Sequence, residues 1–119
     1  MLHKRSILQS FYYAARGMVF TFQSERSMIF HTIMAIIAVI AAFVFKLDVM
    51  EWMVLTLSIL LVFIAETINT AIEINVDMVT KKKRPRAMMA KDVAAAAVLI
   101  SAINAIIIGI ILFWPKVFS

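Results

Sequence analysis

Three long apolar runs constrain the fold of this chain more than any other feature of its sequence. Few polar residues interrupt them, and the second run continues without Gly or Pro into the polar stretch Ala65–Asp77. A helix needs about 20 residues to cross the roughly 30 Å hydrocarbon core of a bilayer, where it satisfies its own backbone polar groups. We therefore predict an all-α integral membrane protein with spans at about 28–45, 52–76 and 92–114.

The composition supports a membrane location rather than a soluble fold. Of the 119 residues, 64% are hydrophobic and 16% are charged, whereas soluble domains are about half apolar and a quarter charged. The net charge of +5 favours anionic lipid headgroups and anionic ligands as partners, rather than nucleic acid. The chain contains no cysteine, which excludes disulfides and thiolate metal sites. We expect a single membrane-embedded domain over residues 1–119.

The segment before the first span is predicted to form an amphipathic helix at the membrane interface, over about residues 5–26. Phe11, Ala15, Met18 and Phe22 recur there at helical spacing, with polar residues off their stripe. The segment is not expected to be a signal peptide, because it lacks an apolar core followed by a small-residue cleavage site.

The lysines and arginines predict which side of the membrane each loop faces. Of the twelve lysines and arginines, ten precede the first span or lie between the second and third spans. Only Lys46 and Lys116 lie at the opposite ends of the spans. Positive charges are retained on the cytoplasmic side. We expect the N-terminus and second loop to lie in the cytoplasm and the C-terminus to lie outside.

Glu66, Glu73 and Asp77 form a narrow acidic stripe on the second span. At helical periodicity they fall within an arc of about 40°, and ionisable residues in a span usually face a bundle interior or an aqueous cavity. Glu66 lies roughly 21 Å along the span, in the cytoplasmic third of the bilayer core. Glu25, before the first span, and Lys91, at the start of the third, are expected at the same cytoplasmic face.

These carboxylates and the lysine suggest phosphoryl-transfer chemistry. Glu25 and Glu73 supply oxygen ligands of the kind that Mg²⁺ takes, usually one or two carboxylates plus substrate phosphates. Lys91 and the basic loop offer positive charge to phosphates. Glu66, deeper in the bilayer, can accept the proton of a lipid hydroxyl. The pattern indicates transfer from a water-soluble nucleotide to a membrane-buried alcohol.

Two motifs resemble the signature of the prokaryotic diacylglycerol kinase family. AETINTAIEINVD, which begins at Ala65, is followed by AKDVAAAAVL, which begins at Ala90, and GMVFTFQSE precedes both and ends at Glu25. The resemblance covers nearly the whole chain. It implies a three-span homotrimer with an amphipathic N-terminal helix, which uses Mg²⁺ and ATP to phosphorylate a lipid alcohol. It further implies that the sites are assembled between protomers.

The resemblance also implies roles for individual residues. Glu66 is expected to be the catalytic base and to contact the lipid substrate together with Ala95, and Glu25 and Glu73 are expected to bind the metal. The basic loop joins the expected nucleotide site through its charge. The residues expected around the nucleotide are Tyr13, Glu25, Asn69, Glu73, Asp77, Lys82, Lys83, Arg84, Lys91 and Asp92.

The family has two branches that act on different lipid alcohols. SERSMIFH, which begins at Ser24, and the AETINTAIE stretch are more similar to the undecaprenol kinase branch than to the diacylglycerol branch. Undecaprenol is therefore the expected substrate, and diacylglycerol is the alternative. Ser27, Ile29 and Ala96 stand where the family pattern has Asn, Arg and Gly. Because none of these departures removes a carboxylate, they bear on substrate choice rather than on activity.

Other interpretations compete with a lipid kinase. The acidic stripe is also compatible with a polar network in a structural subunit, or with a proton-coupled exporter, although such transporters usually have four spans. The basic loop is more typical of an anchor to anionic lipid than of a direct phosphate contact. His31 is expected to be a satisfied polar residue rather than a ligand, and Asp48 and Glu51 are expected to be solvated loop charges.

Overall fold

A computed structural model describes residues 6–119 as four α-helices. They are α1 (Ile7–Ser24), α2 (Arg26–Val44), α3 (Val49–Val79) and α4 (Pro85–Val117). The last three are long and apolar enough to cross a membrane, which confirms the all-α class and the three predicted spans. The expected start of the interfacial helix at residue 5, and the charges of Lys4 and Arg5, lie outside the described residues.

α3 begins earlier than predicted, at Val49, because its first turn is capped by side chains. The Asp48 carboxylate accepts a hydrogen bond of 2.8 Å from the backbone N–H of Glu51, whose own carboxylate accepts one of 3.1 Å from the Asp48 N–H. This reciprocal pair is a capping box, which satisfies two backbone donors at the helix start. The prediction of a solvated loop charge was therefore wrong for Glu51, which lies on α3, whereas Asp48 is exposed and precedes the helix as its cap.

α4 also begins earlier than predicted, at Pro85. Proline suits the first turn of a helix, since its missing N–H would have no partner there and its φ is already helical. The connection between α3 and α4 is consequently only residues 80–84. Arg86 and Lys91 lie on α4 itself, so the positive charge continues from the loop onto the first turns of the helix.

The apolar core lies at one end of the bundle, which we call the core end. There α2, α3 and α4 converge through a cluster of buried aliphatic side chains. An ion pair also connects α3 and α4 at this end, where Lys116 Nζ lies 2.8 Å from Glu51 Oε2. The buried residues of the cluster are Ala42, Leu47, Leu55 and Leu112.

The opposite end, which we call the site end, buries polar residues instead. Thr21 of α1 and Glu66, Asn69 and Thr70 of α3 are all buried. α1 packs here against α3, and the rings of Phe22 and Phe63 lie 6.2 Å apart. Most large apolar side chains on the spans are exposed in the single chain, as expected for a protein surrounded by lipid. Four of the six buried polar residues that the structure describes thus lie at the site end.

Candidate active site

Glu66 is the most buried charged residue of the site end. The residue is 1% exposed, and its Oε1 accepts a hydrogen bond of 2.5 Å from the Ser27 hydroxyl of α2. Its Oε2 lies 3.6 Å from Nε2 of His31 and has no hydrogen-bond partner among residues 6–119. A buried carboxylate is costly unless polar groups compensate it. α2 supplies that compensation on one oxygen and leaves the other available.

Helix geometry explains why α2 meets Glu66 with two polar side chains. Ser27 and His31 are four residues apart, so they lie on the same face of α2, about one turn from each other. On α3, the Thr70 hydroxyl donates a hydrogen bond of 3.0 Å to the backbone carbonyl of Glu66. Ser27 and His31 therefore approach the two carboxylate oxygens of Glu66 from a single helix face.

Glu25 and Glu73 form a second pair of carboxyl groups. Glu25 is the N-cap residue of α2, at its junction with α1, and its side chain is hydrogen-bonded to that of Glu73. Burial, followed by repulsion from Glu73 and Glu66, raises the pKa of Glu25 above its ordinary value. Two carboxyl groups in contact share a proton or attract a cation, and the raised pKa of Glu25 reflects this arrangement.

Asn69 connects this pair to the interior of the bundle. Its Nδ2 donates a hydrogen bond of 3.2 Å to Glu73 Oε1, whereas its buried Oδ1 has no partner in the described part of the chain. Carboxylate and amide oxygens are the ligands that Mg²⁺ takes, so Glu25, Glu73 and Asn69 Oδ1 fit a divalent cation. No group of three His, Cys, Asp or Glu residues that could hold a metal occurs within residues 6–119. A cation here would need further ligands, such as the phosphates of a substrate.

Lys91 and Asp77 form an ion pair at the accessible edge of the site. Lys91 Nζ lies 2.6 Å from Asp77 Oδ1, which joins the start of α4 to the last turns of α3. The two side chains are 39% and 49% exposed, so a soluble ligand can reach both. Lys91 also lies within electrostatic range of Glu73. The structure thus brings the predicted lysine to the acidic stripe.

Tyr13 is placed on α1 by the structure, within an aromatic and cationic cluster. Its ring lies edge-on to that of Tyr12, with centroids 5.3 Å apart, and the Arg16 guanidinium lies 5.6 Å from its centroid. A guanidinium over an aromatic ring restricts the motion of both groups. This part of α1 therefore holds two aromatic rings next to a positive charge.

The other predicted residues lie around the carboxylates rather than among them. Asp92 and Ala95 are exposed on the first turns of α4. The loop side chains are exposed as well, and none of them forms an ion pair with a carboxylate in the range that the structure covers. These loop residues are Lys82, Lys83 and Arg84.

Ser27 and His31 are the two site residues to which sequence reasoning gave no role in the site. Ser27 had been considered only as a departure from the family pattern, and His31 as an ordinary polar residue. Their spacing indicates that both lie on one face of α2, but only the packing of α2 against α3 shows that this face meets Glu66. The expectation that His31 is a satisfied polar residue overlooked its proximity to Glu66.

An apolar cavity of about 290 Å³ lies beside His31. α2, α3 and α4 all contribute to its wall, among them Phe30, Phe63 and Ala105. Phe63 precedes Glu66 by about one turn of α3, so the cavity lies on the core-end side of the carboxylate. Ligand sites are typically apolar cavities with a few polar groups at fixed positions. Here the polar group at the wall is the imidazole that faces Glu66.

The chain is similar to known membrane enzymes over most of its length. Residues 12–113 match the family described as prokaryotic diacylglycerol kinase. The undecaprenol kinase of Bacillus subtilis is 43% identical over 108 residues, which cover 91% of this chain and 88% of that protein. The diacylglycerol kinase of Synechocystis sp. is 38% identical over 115 residues, or 96% of this chain and 66% of that protein. The diacylglycerol kinase of Escherichia coli K12 is 32% identical over 108 residues, or 91% of this chain and 88% of that protein.

Proposed function

The chain belongs to the prokaryotic diacylglycerol kinase family, and we propose that it transfers the γ-phosphoryl group of ATP to the hydroxyl of undecaprenol. Family membership confirms the expectation of a lipid kinase. Of the three relatives described above, the undecaprenol kinase is more identical to this chain than either diacylglycerol kinase. This order supports undecaprenol as the substrate and leaves diacylglycerol as the alternative.

The observation that carries the proposal is the buried Glu66 carboxylate with one unpartnered oxygen. Ser27 occupies Oε1, while Oε2 faces the His31 side chain at the wall of the apolar cavity. A lipid alcohol that enters from the bilayer can place its hydroxyl against Oε2 and keep its tail in apolar surroundings. Glu66 then accepts the hydroxyl proton as the lipid oxygen attacks the γ-phosphorus and ADP leaves.

Glu25, Glu73 and Asn69 are the residues that would hold Mg²⁺. Their oxygens fit a hard divalent cation, and the contact between the two carboxyl groups is relieved when a cation lies between them. When bound, the ion supplies positive charge that offsets the negative charge on the transferred phosphoryl group. The protein side chains fix the position of that charge close to Glu66, from which the lipid oxygen attacks.

The accessible edge of the site is proposed to bind the nucleotide. Lys91 is exposed and already orients its ammonium group toward Asp77, where a phosphate can replace or join the carboxylate. Asp92 and the basic loop add to this edge, and the Tyr13–Arg16 cluster supplies an aromatic face for a base. ATP would thus approach from water while the lipid approaches from the bilayer. The loop residues in this proposal are Lys82, Lys83 and Arg84.

The site is proposed to face the cytoplasm and to be completed in a homotrimer. The excess of lysine and arginine at the site end supports a cytoplasmic position for the N-terminus and the α3–α4 loop, with the C-terminus outside. Three observations on the single chain fit a shared site: the exposed apolar faces of the spans, the incomplete cation ligands and the peripheral nucleotide residues. Cross-linking in native membranes would show trimers if this assembly is right.

The test is a side-by-side assay of purified protein in lipid with Mg²⁺ and ATP. Undecaprenol should be converted to undecaprenyl phosphate faster than diacylglycerol is phosphorylated. Glu66→Gln should lose turnover by about 10²-fold or more, since it removes the proton acceptor. Glu51→Gln, the same change on the same helix at the core end, is the matched control and should remain active. Full activity in Glu66→Gln would disprove the general-base role, and equal turnover of both lipids would leave the substrate proposal without support.

The competing interpretations fit the molecule less well. A proton-coupled exporter does not need the ion pair of Lys91 with Asp77 or the contact between Glu25 and Glu73. A structural subunit does not need a buried carboxylate with an unpartnered oxygen, because burial of that oxygen costs free energy without a partner. Neither interpretation accounts for the similarity to kinases over nine-tenths of the chain.

A further inference from the structure

Glu66 has to lose a proton after every turnover. The residue is 1% exposed, so water does not reach its carboxyl group freely. If the lipid hydroxyl gives its proton to Oε2, the enzyme is left with a neutral Glu66 that cannot act as a base again. A second group must remove that proton from the interior before the next lipid reacts.

His31 is the neighbour of Glu66 that has the chemistry for this task. Ser27 contacts Oε1 through a hydroxyl, which does not exchange protons with a carboxyl group near neutral pH. Imidazole does so readily, because it gains and loses a proton in that range. His31 Nε2 lies 3.6 Å from Oε2, and a small rotation of the ring closes the remaining gap of about 0.6 Å to a hydrogen bond.

The position of His31 also provides a route outward. Its side chain is 14% exposed, compared with 2% for that of Glu66. It lies about 8 Å along α2 from Arg26, at the site end of the bundle. The imidazole therefore lies against the buried carboxylate, borders the apolar cavity and is the more exposed of the two groups.

We propose that His31 accepts the proton from Glu66 after each phosphoryl transfer and releases it outside the site. In this step the O–H bond at Glu66 Oε2 breaks and an N–H bond forms at His31 Nε2. The resulting imidazolium loses its Nδ1 proton to water, and exchange with water restores the neutral Nδ1–H tautomer. The inference rests on the proposed role of Glu66 as the base, and His31 acts on Glu66 rather than on the reacting atoms of the substrate.

The other charged groups near Glu66 are engaged elsewhere. Glu25, at the start of α2, is hydrogen-bonded to Glu73 of α3, and Glu73 also accepts from Asn69. On α4, Lys91 is paired with Asp77 at the exposed edge, and on α1 the Arg16 guanidinium lies over Tyr13. Of these neighbours, His31 is therefore the one placed to remove the proton from Oε2.

The test separates the first turnover from those that follow. In a rapid-quench experiment with lipid and ATP in excess, His31→Gln should form its first product at a rate within about twofold of wild type, since Glu66 begins as a free base. Later turnovers should be slower by about tenfold or more, and the KM for lipid should fall by a similar factor, because kcat/KM reports the unaffected first turnover. Added imidazole should restore part of the steady-state rate of His31→Gln and should not restore Glu66→Gln.

Several outcomes would overturn the relay. If His31→Gln slows the first and later turnovers equally, His31 has a structural or orienting role. If the steady-state rate of His31→Gln is unchanged, His31 has no role in turnover. His31→Asn provides a second variant if His31→Gln does not fold, as judged by thermal unfolding in detergent. If Glu66→Gln keeps its activity, the base assignment fails; if it is inactive while His31→Gln turns over normally, only the relay fails.

Discussion

The Ser27 hydroxyl donates a hydrogen bond of 2.5 Å to Oε1 of Glu66, although the two residues are 39 positions apart in the sequence. This contact joins α2 to α3 at the site end, far from the aliphatic cluster that holds the helices together at the core end. The attachment of α2 at the site end is therefore polar, and it involves the proposed catalytic base. Stability and the proposed catalysis should therefore depend on the same hydrogen bond.

Ser27→Ala should reduce both stability and turnover. Removal of the hydroxyl leaves a buried carboxylate oxygen without its donor, which costs about 1–3 kcal/mol of unfolding free energy. The carboxylate also becomes free to rotate away from the lipid hydroxyl, so kcat should fall while the KM for ATP stays constant. Unfolding in detergent and steady-state kinetics measure the two effects, and Ser27→Thr should restore most of each.

Ser101→Ala is the matched control for that change. Ser101 is buried, at 3% exposure, whereas Ser27 is exposed, and the Ser101 hydroxyl donates to the Val98 carbonyl of its own helix at 2.7 Å. Loss of the Ser101 hydroxyl should affect stability slightly and activity little. Similar losses in both variants would show that any hydrogen-bonded serine hydroxyl matters equally, and the special role of the contact with Glu66 would be refuted.

The Glu25–Glu73 pair predicts that stability depends on pH and on Mg²⁺. The pKa of Glu25 is raised from its ordinary value of 4.5, so the folded state holds this proton more tightly than the unfolded chain does. The resulting stabilisation is complete below pH 4.5 and is lost as the pH rises through the raised pKa. Mg²⁺ favours the deprotonated pair, so its stabilising effect should grow over the same range.

Thermal unfolding in detergent, with and without Mg²⁺, measures this linkage. The Tm without Mg²⁺ should decrease as the pH is raised from about 4 toward neutrality, and Mg²⁺ should recover the loss. Glu25→Gln should flatten both dependences, while Glu51→Gln at the core end should leave the Mg²⁺ effect intact. A Mg²⁺ effect in Glu25→Gln as large as in wild type would place the cation elsewhere.

The sequence allowed the acidic half of the site to be predicted, because the cost of charge in a membrane restricts where it can lie. Glu66, Glu73 and Asp77 could only be tolerated on one face of a helix, at the depth that the length of the span dictates. Lys91 was expected only at the same membrane face, and its pairing with Asp77 is a finding of the structure. The three acidic residues could be grouped without knowledge of tertiary packing.

Ser27 and His31 could not be assigned in this way, since α2 is apolar on nearly every side. Its sequence carries no strong amphipathic stripe that would fix which face turns toward α3, and tertiary packing alone decides that rotation. The helix starts were missed for a different reason. The Asp48–Glu51 capping box and Pro85 are readable signals, but both lie outside the apolar runs that defined the predicted spans.

The absence of cysteine from the sequence allows a clean test of membrane orientation. Lys83→Cys in the α3–α4 loop should react with a membrane-impermeant thiol reagent only after the cytoplasmic side is exposed. Ser119→Cys, at the other end of α4, should react in intact cells. The expected pattern follows from the distribution of positive charge, and labelling of both positions from the same side would contradict the proposed topology.

Lys91 should affect nucleotide binding far more than folding. Its ion pair with Asp77 is exposed on both sides, and such pairs contribute at most about 1 kcal/mol to stability. A hydrogen bond between an ammonium group and a phosphate is worth about 1.5–3 kcal/mol, so Lys91→Ala should raise the KM for ATP by roughly tenfold or more. The KM for ATP of Lys91→Arg should lie between those of the wild type and Lys91→Ala, because arginine keeps the charge but changes the geometry of the contact.

Lys116→Ala is the matched control, because it breaks the corresponding pair with Glu51 at the core end. It should leave the KM for ATP unchanged, so the difference between the two lysine variants isolates the role of position. Asp77→Asn decides what Lys91 does in its pair. If Lys91 serves only to neutralise Asp77, Asp77→Asn should rescue Lys91→Ala; if Lys91 binds phosphate, the double variant should keep the high KM of Lys91→Ala.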